Sequence, residues 1–238
     1  MDRKKYVVIV AGGSGTRMGA SKPKQFLELR GKAILRRTIE AFLEAFPNIT
    51  VITVLPSEHI SYWKEYCYKT NFICPQILVN GGFTRFHSVR NALERIPQGS
   101  LVAIHDGVRP LASADLIRRT FERAQESGSA IPVIPCIDTM KVLQKKTWSD
   151  GSETYVTIPG VEADRSVLYG AQTPQVFHSE LLKQAYTQAY DTEFTDDASV
   201  VERYGKSLSY IIGERLNIKI TTQEDLTLAE AILSLRGN

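Results

Sequence analysis

Cysteine is scarce. Cys67, Cys74 and Cys136 are the only three in 238 residues, and no two of them form a CxxC pair. That excludes a disulfide framework and leaves a zinc site without its usual spacing. Histidine does not fill the gap: His59, His87 and His178 share no metal-ligand spacing. His105 ends an apolar run, where a packing or supporting role is expected of it. Long hydrophobic runs are missing too. The leading MDRKKYVVIV has too short an apolar stretch for a signal peptide, and no segment reaches the roughly 20 apolar residues of a membrane span. The expected location is a reduced cytoplasm, with no membrane partner. Charge of one sign is not in excess, since the net value is +3 and no basic run of five or more occurs. An aromatic–basic sheet motif is also lacking, so nucleic acid is not an expected partner. Repeats and low-complexity segments are absent.

What is present is a strand followed by a cationic glycine loop. Val7 to Val10 are four β-branched residues in a row, the mark of a buried parallel strand. Gly12, Gly13 and Gly15 follow, then Arg17, Lys22 and Lys24. Glycines after a strand let the backbone approach a ligand and turn N–H groups toward phosphate oxygens. The cations imply a ligand with several negative charges, although a glycine-rich turn with solvated charges has the same local appearance. Two common phosphate signatures fail here. The Walker pattern needs Gly-Lys-Ser/Thr where Gly15-Thr16-Arg17 stands. The dinucleotide fingerprint needs glycine where Met18 stands and an acidic residue near position 35, which is Leu35.

The length suits a single α/β domain over residues 1–238, able to bury about 70–75% of its unfolded surface. Helical spacing of apolar residues predicts a helix over 33–46, and Ile49–Leu55 reads as a second buried strand. Further helices are expected over 57–69, 84–96 and, with Ser113 as N-cap, up to Ser127. Strands are expected at Gln76–Val79 and Leu101–His105. This alternation predicts a doubly wound, mostly parallel sheet. The rhythm breaks between residues 139 and 161, where two alternating runs flank Asp150-Gly151. They predict a hairpin with strands near Met140–Gln144 and Thr154–Ile158. Its faces are too polar for a second core, so it reads as a protruding arm, the alternative being an edge hairpin of the main sheet. Helices at Ser179–Tyr190 and Asp196–Tyr204, strands at Leu208–Ile212 and Ile218–Ile220, and a capping box at Thr222–Asp225 before a last helix complete the reading.

The string GGSGTRMG followed closely by PKQF resembles the signature of nucleotidyltransferases that act on sugar and polyol phosphates. The short spacing from Arg17 to Lys24 is similar to their cytidylyltransferase branch, in particular the 2-C-methyl-D-erythritol 4-phosphate cytidylyltransferase family. GGFTRFHSV, HDGVRP, GAQTPQ, TDD and NIK match the family in order along nearly the whole chain. The resemblance implies a Rossmann-like fold and transfer of CMP from CTP to a polyol phosphate with release of pyrophosphate. Arg17 and Lys24 would stabilise the reacting phosphates. Ala11, Gly12, Gly13, Gly15, Gly82, Phe83, Ser88, Asp106 and Gly107 would bind the nucleotide. Phe83 is bulky where relatives are small or acidic, so its contact is expected through the main chain. Arg109, Thr139, Arg165, Thr173, Thr195 and Lys219 would hold the substrate phosphate, with Arg165 and Lys219 catalytic. Mg²⁺ would be carried mainly by the CTP phosphates, with no protein ligand assigned. The arm would join a homodimer. Asp106 beside Arg109 also fits a plain internal ion pair. Ribitol-5-phosphate transfer and a non-catalytic sugar-nucleotide sensor are the rival functions.

Overall fold

The computed structural model describes residues 3–12 and 23–237. The expectations for Gly13, Gly15, Arg17 and Lys22 therefore lie outside the described residues. In chain order the main elements begin with β1 (Lys4–Val10), β2 (Glu28–Leu29), β3 (Lys32–Ala33), α1 (Ile34–Ala45), β4 (Thr50–Leu55), α2 (Ser57–Lys69) and β5 (Gln76–Asn80). They continue with α3 (Arg85–Leu93), β6 (Ser100–Asp106), α4 (Ala114–Ser127), β7 (Ser129–Pro135), β8 (Leu143–Thr147), β9 (Glu153–Thr157), β10 (Tyr169–Ala171) and β11 (Gln175–His178). The last are α5 (Ser179–Ala185), α6 (Asp197–Arg203), β12 (Tyr210–Ile212) and α7 (Gln223–Leu235).

β1 is the hub of the sheet. It pairs in parallel with β4 on one side and β6 on the other, and β5 extends the β4 edge. Period-2 alternation along β1 then feeds two cores. Val7 and Ile9 face α1, α2 and α4 through Leu35, Ile39, Phe42, Trp63 and Phe121. Tyr6 and Val8 face Phe86 and Val89 of α3 and Leu182 of α5. Helices cover both faces of the sheet, which is the doubly wound arrangement expected. A smaller cluster under α7 joins Val108, Leu111 and Ile220 to Leu226, Ala229 and Ile232. Both anticipated caps form: the Ser113 side chain accepts from the Leu116 N–H, and Thr222 and Asp225 make a reciprocal capping box. No helix among the described residues is long and apolar enough to cross a membrane.

Three strands of the main sheet, β7, β10 and β11, go beyond the sequence expectation. β7, with Pro132 in its middle, pairs with β11 and β10 antiparallel and with β12 parallel. β11 also lies antiparallel against β6, so it separates two strands that run the same way. Pro132 has no N–H to give to a ladder, which is why SAIPVIP carries a weak strand signal. Ile218–Ile220, expected as a strand, has no ladder; the Ile220 N–H instead bonds the Val108 carbonyl at 2.9 Å. The expected helix over Ser179–Tyr190 stops at Ala185.

The hairpin exists as β8 and β9, a two-stranded sheet of their own with no pairing to the main sheet. Its first strand begins three residues later than expected and its second one residue earlier, because the reversal takes only five residues, Trp148 to Ser152, where the expected bounds left 145–153 between the strands. Gly151 supplies the left-handed φ of +81°, and Asp150 Oδ1 accepts from the Ser152 N–H at 2.9 Å. Trp148 and Tyr155 stand 48% and 68% exposed on this arm.

Candidate functional site

The strands β1, β4, β5 and β6 all end on one side of the sheet, and there a cleft of about 860 Å³ opens. Its wall starts at Ala11 and Gly12, directly after β1. The Gly107 N–H bonds the Val10 carbonyl at 2.9 Å, locking the β1 and β6 exits together. A side chain at Gly107 would bring its Cβ within 2.9 Å of Ala11 Cβ, so only glycine permits this approach. Opposite stands the turn into α3. Here Ser88 Oγ accepts from the Gly82 N–H at 3.0 Å and donates to the Thr84 carbonyl at 2.9 Å. A Cβ on Gly82 would stand 2.4 Å from His87 Cβ, so this turn also requires glycine. The Phe83 side chain is fully exposed at the rim. Thr84 caps α3, accepting from the His87 N–H.

Ala11, Gly12, Lys24, Gly82, Phe83, Ser88, Asp106 and Lys219 all line this one cleft. They come from five stretches of chain that only folding unites. Asp106 is the carboxylate that joins them to the rest. Its Oδ2 meets Lys219 Nζ at 2.9 Å and Arg109 Nε at 3.4 Å, while Oδ1 faces Arg85 Nε at 3.8 Å. Burial alone would raise the Asp106 carboxyl, but Arg85, Lys219 and Arg109 together hold it well below the usual carboxylate range. It is ionised at any working pH. The Asp–Arg pair foreseen as an alternative is therefore present, and it is part of a cation cluster at the cleft.

Beneath Asp106 the supporting hydrogen bonds specify a histidine tautomer. The Thr173 hydroxyl oxygen accepts from the Asp106 N–H at 3.1 Å and lies 3.0 Å from His105 Nδ1. His105 Nε2 lies 3.1 Å from the Arg109 carbonyl, which can only accept. Nε2 therefore carries the proton, and Nδ1 accepts from Thr173. Burial keeps the ring neutral, with its pKa pushed down to about 4. His105 is a support, as its sequence position implied.

Thr173 is buried and does not line the cleft. Arg109 is tied to its rear by the 2.8 Å bond from Nη1 to the Asn217 carbonyl. Thr195 immediately precedes Asp196, the N-cap of α6. Thr139 and Arg165 lie apart at the base of the arm, where Arg165 Nη1 donates to the Ile137 carbonyl at 2.9 Å. Thr139 lines a second hollow, of about 710 Å³, between the arm's two stems. Among the cleft residues the sequence reading left unassigned, Gln25 and Arg85 hold the site together. Gln25 is buried, and its Nε2 holds the Ala11 carbonyl at 2.9 Å. Arg85 bridges two carboxylates. A cation in the first turn of a helix opposes the helix dipole, and that was the available sign that Arg85 has an acidic partner.

A model of the family described as 2-C-methyl-D-erythritol 4-phosphate cytidylyltransferase (IspD) matches residues 6–235. Proteins of that name from Phocaeicola vulgatus and Porphyromonas gingivalis are 45% and 43% identical to this chain. The first alignment covers 96% of the chain and 99% of the relative, the second 98% and 100%. A crystal structure of 4-diphosphocytidyl-2C-methyl-D-erythritol synthase from Anaerococcus prevotii superimposes with a TM-score of 0.76 at 27% identity, covering 98% of this chain and 99% of that one.

Proposed function

Because the chain belongs to the 2-C-methyl-D-erythritol 4-phosphate cytidylyltransferase family, we propose that it transfers CMP from CTP to 2-C-methyl-D-erythritol 4-phosphate. The products are 4-diphosphocytidyl-2-C-methyl-D-erythritol and pyrophosphate. The observation that carries this reading is the single cleft where the phosphate-loop wall, the Gly82–Ser88 turn and the Asp106–Arg109–Lys219 cluster meet.

The attacking group is an oxygen of the substrate phosphate. Its second ionisation lies near pH 6, so the dianion is a nucleophile without a general base. It forms a bond to the α-phosphorus of CTP while the bond from that phosphorus to the bridging oxygen of pyrophosphate breaks, and the electron pair leaves with pyrophosphate. The protein's task is to align two polyanions and neutralise the charge that shifts onto the leaving group. Arg17 and Lys24 serve the triphosphate, with N–H groups around Ala11, Gly12, Gly13 and Gly15. The Gly82–Ser88 turn, with the Phe83 main chain, reads the base. Lys219 and Arg109 draw in the substrate phosphate, and Thr173 and Thr195 support that side.

Among the described residues no three His, Cys, Asp or Glu side chains cluster to hold a metal. Mg²⁺ carried mainly on the triphosphate oxygens, which suit this hard ion, would accompany CTP. When bound, it neutralises charge on those oxygens. Thr139 and Arg165 do not line the cleft of their own chain; in this reading they serve the substrate phosphate of a second copy. The arm docks the two copies as a homodimer. The whole of residues 1–238 forms one nucleotidyltransferase domain, with the arm over about 139–161. It works in the cytoplasm, with no nucleic-acid or membrane partner.

The test is pyrophosphate release with Mg²⁺, CTP and either methylerythritol phosphate or ribitol 5-phosphate, with UTP and ATP as competing nucleotides. Turnover that needs CTP and favours methylerythritol phosphate at least about tenfold is expected. Equal use of ribitol phosphate, or of ATP, overturns the assignment, as does the absence of pyrophosphate.

A further inference from the structure

Arg85 belongs to no part of the reaction described so far, yet it sits where three elements of the site meet. It opens α3, one turn before Ser88. Its Nη2 pairs with Asp197 Oδ2 at 2.5 Å, across 112 residues of sequence, and its Nε faces Asp106 Oδ1 at 3.8 Å. Asp197 is completely buried in the first turn of α6, and its other oxygen accepts from the Tyr186 hydroxyl at 2.6 Å. The anchor is thus rigid. The Arg85 side chain as a whole is 30% exposed and lines the nucleotide cleft.

A pair kept only for stability has a cheaper alternative, since packed apolar side chains of similar volume usually do as well or better than buried ions. A direct phosphate clamp is also a poor description, because two carboxylates already face this cation. What the arrangement does is divide the Asp106 carboxylate. Arg85 Nε stands 3.8 Å from Oδ1, an electrostatic contact longer than a hydrogen bond, while Lys219 and Arg109 gather at Oδ2. Counting Arg85, Arg109 and Lys219 against Asp106 and Asp197, the cluster retains one positive charge for an arriving anion.

We propose that Arg85 is a positioning residue for the transfer. Anchored by Asp197, it sets the rotation of the Asp106 carboxylate and thereby the place of the Lys219 ammonium, and it ties the α3 turn that reads the base to the side that receives the polyol phosphate. Without it, Oδ1 becomes open to Lys219 or Arg109, and the carboxylate turns toward them. The inference rests on the cytidylyltransferase reading for its kinetic consequence but not for its structural one.

Arg85→Gln removes the charge, Arg85→Lys keeps it but cannot fork across two carboxylates, and Asp197→Asn weakens the anchor without entering the cleft. For Arg85→Gln, kcat/KM for methylerythritol phosphate should fall on the order of 30-fold, as for a reacting group held out of line. The KM for CTP should move less than about threefold. Asp197→Asn should shift the same parameter in the same direction by a smaller factor, and Arg85→Lys should recover part of the loss.

A second measurement does not depend on turnover. The groups facing Asp106 are Arg85 from α3, Arg109 and Lys219 from the two adjoining loops, and neutral His105 beside it. With carbon-13 aspartate labelling, the ionised Asp106 carboxyl resonance at neutral pH should move in Arg85→Gln relative to the parent, and Arg85→Lys should lie between them. A parent that releases no pyrophosphate refutes the enzyme reading, while the carboxyl resonance still judges Arg85. An unmoved Asp106 carboxyl resonance overturns the proposal. So does a loss shared equally by both substrates that follows the melting temperature. If Arg85→Gln does not fold, Arg85→Lys and Asp197→Asn decide by the same two readings.

Discussion

His105 offers the most direct quantitative check on the floor of the site. It is fully buried, neutral and proton-bearing at Nε2, and protonation of Nδ1 would break its acceptor role toward Thr173. Its pKa falls from an ordinary 6.5 to about 4 in the folded chain. Between those values the unfolded state binds more protons, so stability rises with pH there and is lost as pH falls. At pH 7.5 the contribution is complete. By pH 5.5 roughly 1 kcal/mol of it is gone, by pH 4.5 roughly 2 to 3 kcal/mol, and the full loss is about 3 kcal/mol. Urea unfolding of the parent and of His105→Gln at these three pH values isolates the effect, because carboxylates that titrate in both proteins cancel in the difference. The variant should start less stable and lose less on acidification, so that the gap between the two narrows by roughly 2 to 3 kcal/mol from pH 7.5 to 4.5. Parallel pH dependences would refute the buried neutral tautomer, and with it the account of how Thr173 and Asp106 are held.

Two further predictions concern the reaction itself. Lys24→Ala and Arg17→Ala should each lower kcat by 100-fold or more, on the order of 3 kcal/mol in the barrier, with unchanged circular dichroism; near-normal turnover in either returns that cation to a solvated role. Mixing Arg165→Ala with Lys24→Ala protein should regenerate activity, up to about a quarter of normal if subunits exchange at random, because one site of a mixed dimer receives both intact groups. No recovery despite demonstrated exchange would put Arg165 in its own chain's site, and sedimentation as a monomer would remove the shared site.

Much of this molecule is written locally. The β-branched run at Val7–Val10, the helical spacing from Ile34 to Phe42, and the caps at Ser113 and Thr222 act over a few residues, so each could be read before folding. The ordered string of motifs from Gly12 to Lys219 likewise pointed to the family and to eight residues that do share a cleft. Tertiary structure decided what depends on partners distant in the chain. A short run such as Gln175–His178 is apolar enough to be a strand, but nothing in it says that it enters antiparallel between β6 and β7. Lys219 reaches Asp106 from a segment with no ladder, held by one bond to Val108 rather than by the strand its pattern suggested. Arg85 selects Asp197 across 112 residues. Ion pairing depends on distance in space and on exclusion of water, and a linear pattern carries neither.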